Sequence, residues 1–215
     1  MNPRDASNRG RGEGDPRPES SAPAGDPDAH LVRAVVRAVR GGDHEAFGRL
    51  VERYQGRLFA LALMLTREPS AAEEVTQDAL VRAFTSLDAY DEGRPFYPWL
   101  ATIAVRLAQN WLHRRGRVAM REGQAPAPDL ETAAGADALA ALIADEDGRR
   151  LWRSVALLPQ GERAAVILYY RQDMSVRDIA RALGVTSGTV KTFLFRARQK
   201  LRRTLRAAQQ KGEGR

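Results

Sequence analysis

The chain contains no cysteine, which excludes disulfides, thiolate metal sites and a cysteine nucleophile. Its three histidines, His30, His44 and His113, stand far apart and show no ligand spacing. No glycine-rich phosphate loop and no GxSxG elbow occurs, so nothing argues for an enzyme, and neither a cofactor nor a metal is expected. No run approaches the roughly 20 apolar residues needed to span a bilayer, and the first residues lack an apolar signal core. The expectation is a cytoplasmic protein without a membrane partner. Strand-period alternation of useful length is missing too, which predicts an all-α fold. One further absence is local. From Lys191 to Arg206 the chain has seven Lys and Arg (191, 196, 198, 200, 202, 203 and 206) and no Asp or Glu.

What is present is charge, unevenly placed. The 215 residues carry a formal net charge of +7. Residues 149 to 206 hold fourteen Lys and Arg against three acids, Glu162, Asp173 and Asp178. Residues 122 to 147 hold seven acids and no Lys or Arg. A basic block beside an acidic one points to a nucleic-acid surface plus a segment with a different address.

The basic block ends with SVRDIARALGVTSGTVKTFLFRARQKLRRTLR, residues 175–206. Ser175 stands as an N-cap with Asp178 three residues on, a capping-box-like start that satisfies orphan backbone donors. Val176, Ile179, Ala180 and Leu183 recur at helical spacing. Gly184 ends the helix where the chain must turn through a left-handed conformation. A second helix restarts at Thr186 or Ser187, with Val190, Leu194, Ala197 and Leu201 as its buried stripe. Its other face shows Thr189, Lys191, Thr192, Arg196, Arg198, Lys200, Arg202 and Arg203. A charge run alone would suit a helical hairpin with a solvated face. Here it coincides with a capped second helix whose first turn (Thr186, Ser187, Gly188, Thr189) is small and polar, so phosphates and base edges can approach closely. The pattern is that of a helix-turn-helix DNA reader.

The rest of the chain divides around this unit. Residues 1–27, rich in Pro, Gly, Ser and charge, read as a disordered tail. Asp28 is placed to cap a short helix, HLVRAVVRAVR, and Asp43 a longer one bearing Phe47, Leu50, Tyr54, Leu58 and Leu65. Ser70 and Glu73 suggest a capping box for a third helix. A fourth begins near Pro95 to Pro98 and runs through WLATIAVRLAQNWLHRRGR. These four make one small helical domain over 28–118. Residues 119–144, dominated by Pro, Ala, Gly and acids, read as a flexible acidic linker. Asp147 is placed to cap the next helix. The second small helical domain covers 145–206 and carries the helix-turn-helix, with GERAAVILYYRQ as its supporting helix; a tail follows over 207–215.

Four stretches carry a resemblance: FGRLVERYQGRLFALA, AEEVTQDALVRAFTSLDAYD, RPFYPWLATIAVRLAQNWLHRRGR and LPQGERAAVILYYRQDMSVRDIARALGVTSGTVKTFLFRARQKLRR. In this order, with a short acidic linker before the last, they resemble the extracytoplasmic-function (ECF) group of bacterial sigma factors. The resemblance implies a non-enzymatic promoter-specificity subunit, associated with the nucleoid, whose partners are RNA polymerase core enzyme and promoter DNA. An anti-sigma factor that covers the polymerase-binding faces is a further possible partner. The helix around Glu73, Glu74, Gln77, Asp78, Val81 and Arg82 would dock on the clamp helices of the largest catalytic subunit, with Val75, Ala79 and Phe84 turned inward.

By the same resemblance, the helix with Phe96, Tyr97 and Trp99 would melt and read the minus-ten element. Arg106, Asn110, Trp111, Arg114, Arg115 and Arg117 are its candidate DNA contacts, while Phe96 and Trp99 read as core. The chemistry suits the task, since each base stacked on an aromatic ring is worth ~1–3 kcal/mol and arginines hold the backbone. The chain departs from the family where Arg106 replaces a usual Asn and Asn110 a common Asp. Thr186, Ser187, Thr189, Lys191, Thr192, Arg196 and Arg198 fall on positions that place a recognition helix in the minus-thirty-five major groove. Phe193 and Phe195 stand where polar or basic residues are often found; one is taken as packing and the other left open. The acidic linker resembles the segment that threads toward the catalytic channel and RNA exit path. The competing reading is a one-component helix-turn-helix regulator that binds duplex DNA alone.

Overall fold

A computed structural model describes residues 28–121 and 146–212, and among these every regular element is helical. The tail expected over 1–27 and most of the linker expected over 119–144 lie outside the described residues.

The first helix, α1 (Ala29–Arg40), buries Val32, Val35, Val36 and Val39, the i, i+3, i+4, i+7 stripe of an amphipathic helix. Gly41 and Gly42 end it, and Gly42 has a φ of +98°, a conformation that favours glycine. Asp28 does not cap it. Its carboxylate instead accepts from Arg53 Nε at 2.9 Å and Tyr54 Oη at 3.1 Å, because a cationic donor outcompetes a neutral backbone N–H. Asp43 does cap: its Oδ1 accepts from the Ala46 N–H at 3.2 Å, opening a 3₁₀ turn over His44–Phe47 that runs into α2 (Gly48–Thr66). The capping box expected at Ser70 is corrected. Helix α3 (Pro69–Thr85) starts one residue earlier, on a proline that has no N–H to satisfy, and the Ser70 hydroxyl turns back to Glu68 Oε1 at 2.9 Å. After a 3₁₀ turn at Leu87–Ala89, α4 (Phe96–Arg121) crosses α2 and α3, and Phe96, Leu100, Ala101, Ala104 and Val105 are fully buried between them.

The second group begins with α5 (Glu146–Ala156), so Asp147 lies inside that helix and is not its cap. Next come α6 (Gln160–Val166) and a π turn over Ile167–Arg171, where the Gln172 N–H reaches the Ile167 carbonyl at 3.2 Å. Helix α7 (Val176–Leu183) and helix α8 (Ser187–Gly212) complete it. The last helix continues through 207–212, beyond where the sequence pattern placed its end.

The two groups share one continuous core. Helix α4 packs against α7, and α2 against α6. Arg163 of α6 is 4 % exposed and donates from Nη2 to the Leu65 carbonyl of α2 at 3.1 Å. Arg67 Nη1 reaches the Ala156 carbonyl at 3.1 Å, Arg57 Nε reaches Gln172 Oε1 at 3.0 Å, and Arg106 Nη2 approaches the Arg181 carbonyl at 3.4 Å. A cavity of about 210 Å³ lies along this seam, lined by Val105 and Leu112 from one side and Ala164, Leu183 and Phe193 from the other. The arginines answer carbonyls that would otherwise lose a hydrogen bond on closure, although the buried Arg163 Nε itself has no partner.

Candidate nucleic-acid interface

The helix-turn-helix assembles as its residues dictate. The Asp178 N–H bonds Ser175 Oγ at 3.1 Å, and the Ser175 hydroxyl donates to Asp178 Oδ2 at 2.7 Å. Gly184 adopts φ +68°, the left-handed cap. Thr186 then caps α8, its Oγ1 accepting from the Thr189 N–H at 3.1 Å. Val190, Leu194 and Ala197 are buried, and Leu201 is half-buried against the core. That orientation leaves Ser187, Lys191, Thr192 and Arg196 exposed and Thr189 half-buried. The two phenylalanines divide. Phe193 packs inward so closely on Gly161 that a Cβ there would sit 2.8 Å from its ring, whereas Phe195 is 58 % exposed among the polar residues.

Arg198 is set differently from Arg196. It is half-buried, and its Nε donates to Tyr170 Oη at 2.8 Å. Lys200 likewise turns back, onto both oxygens of Glu162 at 2.8 and 2.9 Å.

On α4 the structure separates core from surface. Phe96 is buried and Trp99 half-buried, stacked with Tyr90 in one aromatic cluster. Tyr97 is buried too; the Arg57 guanidinium lies 3.6 Å over its ring, and burial pushes its phenol up to about 12. Arg106, Asn110, Arg114 and Arg117 are exposed, with Trp111 and Arg115 half-buried. Arg115 lies 5.2 Å over the Trp111 ring and forms an ion pair with Glu68. Arg114 faces Glu74 at 3.8 Å. The end of α4 therefore presents cations partly held by acids of α3 and its cap, contacts that exposed pairs exchange for phosphates at little cost.

The outer face of α3 shows Glu73, Glu74, Gln77, Asp78 and Arg82, with Val81 62 % exposed among them. Val75 and Ala79 are buried beneath and Phe84 is half-buried. Val81 is thus an exposed apolar side chain ringed by charged and polar ones.

Several residues that shape these surfaces were not visible in sequence: Arg57 over Tyr97, the buried Arg163, and the Tyr170 and Glu162 anchors of α8. Adjacent charges in an apolar run (Glu162-Arg163) were the only signal, and they name no partner. The Arg163 guanidinium is lowered to about 10 by burial, with the charge of Arg67 adding to it, and stays protonated at neutral pH.

This architecture, a helical unit with an aromatic and basic long helix followed by a helix-turn-helix, is that of a two-part transcription initiation factor. Residues 50–118 match the family described as Sigma-70 region 2, and residues 148–201 match Sigma-70, region 4. The chain is 31 % identical to the RNA polymerase sigma-H factor of Pseudomonas aeruginosa, over 80 % of this chain and 92 % of that protein. It is 30 % identical to the ECF RNA polymerase sigma-E factor of Escherichia coli, over 78 % and 90 %, and 27 % identical to the ECF sigma factor SigW of Bacillus subtilis, over 82 % and 97 %. Among solved structures, CnrH in complex with the cytosolic domain of CnrY matches with a TM-score of 0.56 at 28 % identity, covering 84 % of this chain and 97 % of that one. The sigma factor RpoE of Bartonella quintana, in complex with the anti-sigma factor NepR, shares the fold with a TM-score of 0.60 at 24 % identity, over 75 % and 98 %. The chain belongs to the ECF RNA polymerase sigma factors.

Proposed function

We propose that this protein acts non-enzymatically, in complex with RNA polymerase core, and directs it to specific promoters. The observation that carries this reading is the pairing of two surfaces in one chain: the charged, Val81-centred face of α3 and the exposed polar-basic face of α8. Glu74, Gln77, Asp78, Val81 and Arg82 dock on the polymerase. Arg106, Asn110, Trp111, Arg114, Arg115 and Arg117 engage the minus-ten element as it melts, and Thr186, Ser187, Thr189, Lys191, Thr192 and Arg196 serve the minus-thirty-five element; Arg198, expected among the latter, is instead turned back onto Tyr170. The working units are 28–118 and 145–206, with the acidic segment as the strap between them, and the protein resides in the cytoplasm with the nucleoid.

Run-off transcription with purified core polymerase tests this: the protein should create defined start sites that core alone lacks. Tight duplex binding by the free protein, with no association with core, would support a one-component regulator instead. Because solved relatives were captured with an anti-sigma factor or with the cytosolic domain of CnrY, we also propose a protein partner of the anti-sigma kind. Capture of the tagged full chain from its own cells should recover one.

A further inference from the structure

Two cations of α8 do not point where the proposed DNA-reading face points. That face is the exposed stripe Gly188, Lys191, Thr192, Phe195 and Gln199, spaced i, i+3, i+4, i+7 and i+11. Arg198 and Lys200, two residues apart on a helix that turns about 100° per residue, leave from opposite edges of it. Arg198 runs back to Tyr170, with Nε 2.8 Å from Oη and its guanidinium carbon 5.9 Å from the ring centre. Lys200 runs back to Glu162, a carboxylate only 5 % exposed that receives the ammonium on both oxygens. Burying a carboxylate is costly unless it is paired, so this contact has one preferred geometry.

Both acceptors belong to the element behind α8. Glu162 lies in α6, and Tyr170 in the π turn that follows it. A π turn widens the helix locally and re-aims the side chains after it, a device common at functional sites. Here it leaves Tyr169 in the core and turns Tyr170, 43 % exposed, toward Arg198.

We propose that Tyr170 and Glu162 are positioning residues: acting through Arg198 and Lys200, they tether α8 on both edges and fix its rotation about its own axis. Rotation decides which side chains meet base edges. Hydrogen bonds to bases tolerate little angular error, whereas long basic side chains follow phosphates through many orientations. Loss of a tether should therefore reduce sequence discrimination more than overall affinity. This rests on the reading of α8 as the minus-thirty-five recognition helix.

The test uses holoenzyme assembled from core polymerase and full-length protein, on a promoter duplex found by start-site mapping and on the same duplex with its minus-thirty-five element scrambled. Tyr170→Phe keeps the ring and removes the acceptor; Arg198→Lys keeps the charge and loses the fork. Each should lower the preference for the native duplex by about threefold to tenfold, the net range of one ordinary intramolecular hydrogen bond. Affinity for the scrambled duplex and its salt dependence should not fall, and the double variant should be no worse than either single one, since both remove one contact. Arg196→Ala and Lys191→Ala weaken binding if α8 is the reader. Should those two leave both duplexes unaffected, the recognition-helix reading falls and the tether with it. Should they weaken binding while Tyr170→Phe keeps the preference intact, or lowers both affinities in parallel with its melting temperature, the tether is overturned and the reading stands.

Discussion

Among single residues, Arg163 shows how a charge comes to be tolerated in a core. Its guanidinium is almost fully enclosed, donates to the Leu65 and Leu158 carbonyls, and lines the cavity at the seam. Arg163→Ala leaves those carbonyls short of a donor and enlarges the cavity, and should cost about 1–3 kcal/mol in urea denaturation of the full chain. The Arg163 Nε is nonetheless buried without a partner, and Tyr97 goes further. Its hydroxyl is buried without a hydrogen-bond partner, so Tyr97→Phe should be neutral or stabilising by up to about 1 kcal/mol. The sign with pH follows. A phenol raised to about 12 by burial stays protonated in the folded state, while the unfolded phenol ionises near its ordinary value. Stability is therefore lost as pH rises past about 10, and Tyr97→Phe should flatten that loss while leaving the profile at neutral pH unchanged. Arg196, exposed beside the stripe, should behave as a phosphate contact: Arg196→Ala lowers the slope of log affinity against log salt by about 0.9.

Helices and turns set the next scale. Gly184 at φ +68° has nothing within 4 Å of where a Cβ would stand, so any penalty there is conformational and not steric crowding. Gly184→Val should cost about 1–2 kcal/mol and Gly184→Asn distinctly less, by thermal melting, because Asn tolerates the left-handed region and a β-branched residue does not. On α3, Val81 and Asp78 are exposed and their removal leaves the core beneath untouched. Val81→Glu should therefore weaken association with core polymerase by about tenfold without changing the melting temperature, since a charge is placed where an apolar side chain is buried on docking. Unaltered affinity would move the docking surface elsewhere.

For the whole molecule, the seam between the two helical groups is the dominant feature. Arg57, Arg67, Arg106 and Arg163 each cross it, and apolar side chains from both sides share its cavity. Polar bonds to carbonyls are individually modest, about 1 kcal/mol net, so the closed pair depends on several acting together. Arg57→Ala combined with Arg67→Ala should raise the radius of gyration of the free protein in small-angle scattering while leaving its helix content intact. No change would mean that the shared apolar surface alone holds the groups together.

Much of this was legible locally. Ser175 with Asp178, Gly184 at the turn and the Val190, Leu194, Ala197 stripe are each dictated by neighbours a few residues away, and the structure reproduces them. The same holds for the division of α3 into buried Val75 and Ala79 and exposed Glu74, Gln77 and Asp78. Where a cap residue had a distant alternative, local reasoning failed, as when Asp28 found Arg53 and Tyr54; at α3 the failure was local, the adjacent Pro69 taking the helix start from Ser70. The sequence by itself determined the helices, their inward stripes and so the outward faces of α3 and α8, because hydrophobic period and capping act within a turn or two of chain. Only the tertiary structure decided that the two groups close on each other, that Phe193 packs while Phe195 faces out, and that Arg198 and Lys200 hold α8 from behind. Those outcomes depend on pairs such as Arg57 with Gln172 and Lys200 with Glu162, whose members stand far apart in the chain and carry no periodic mark of each other.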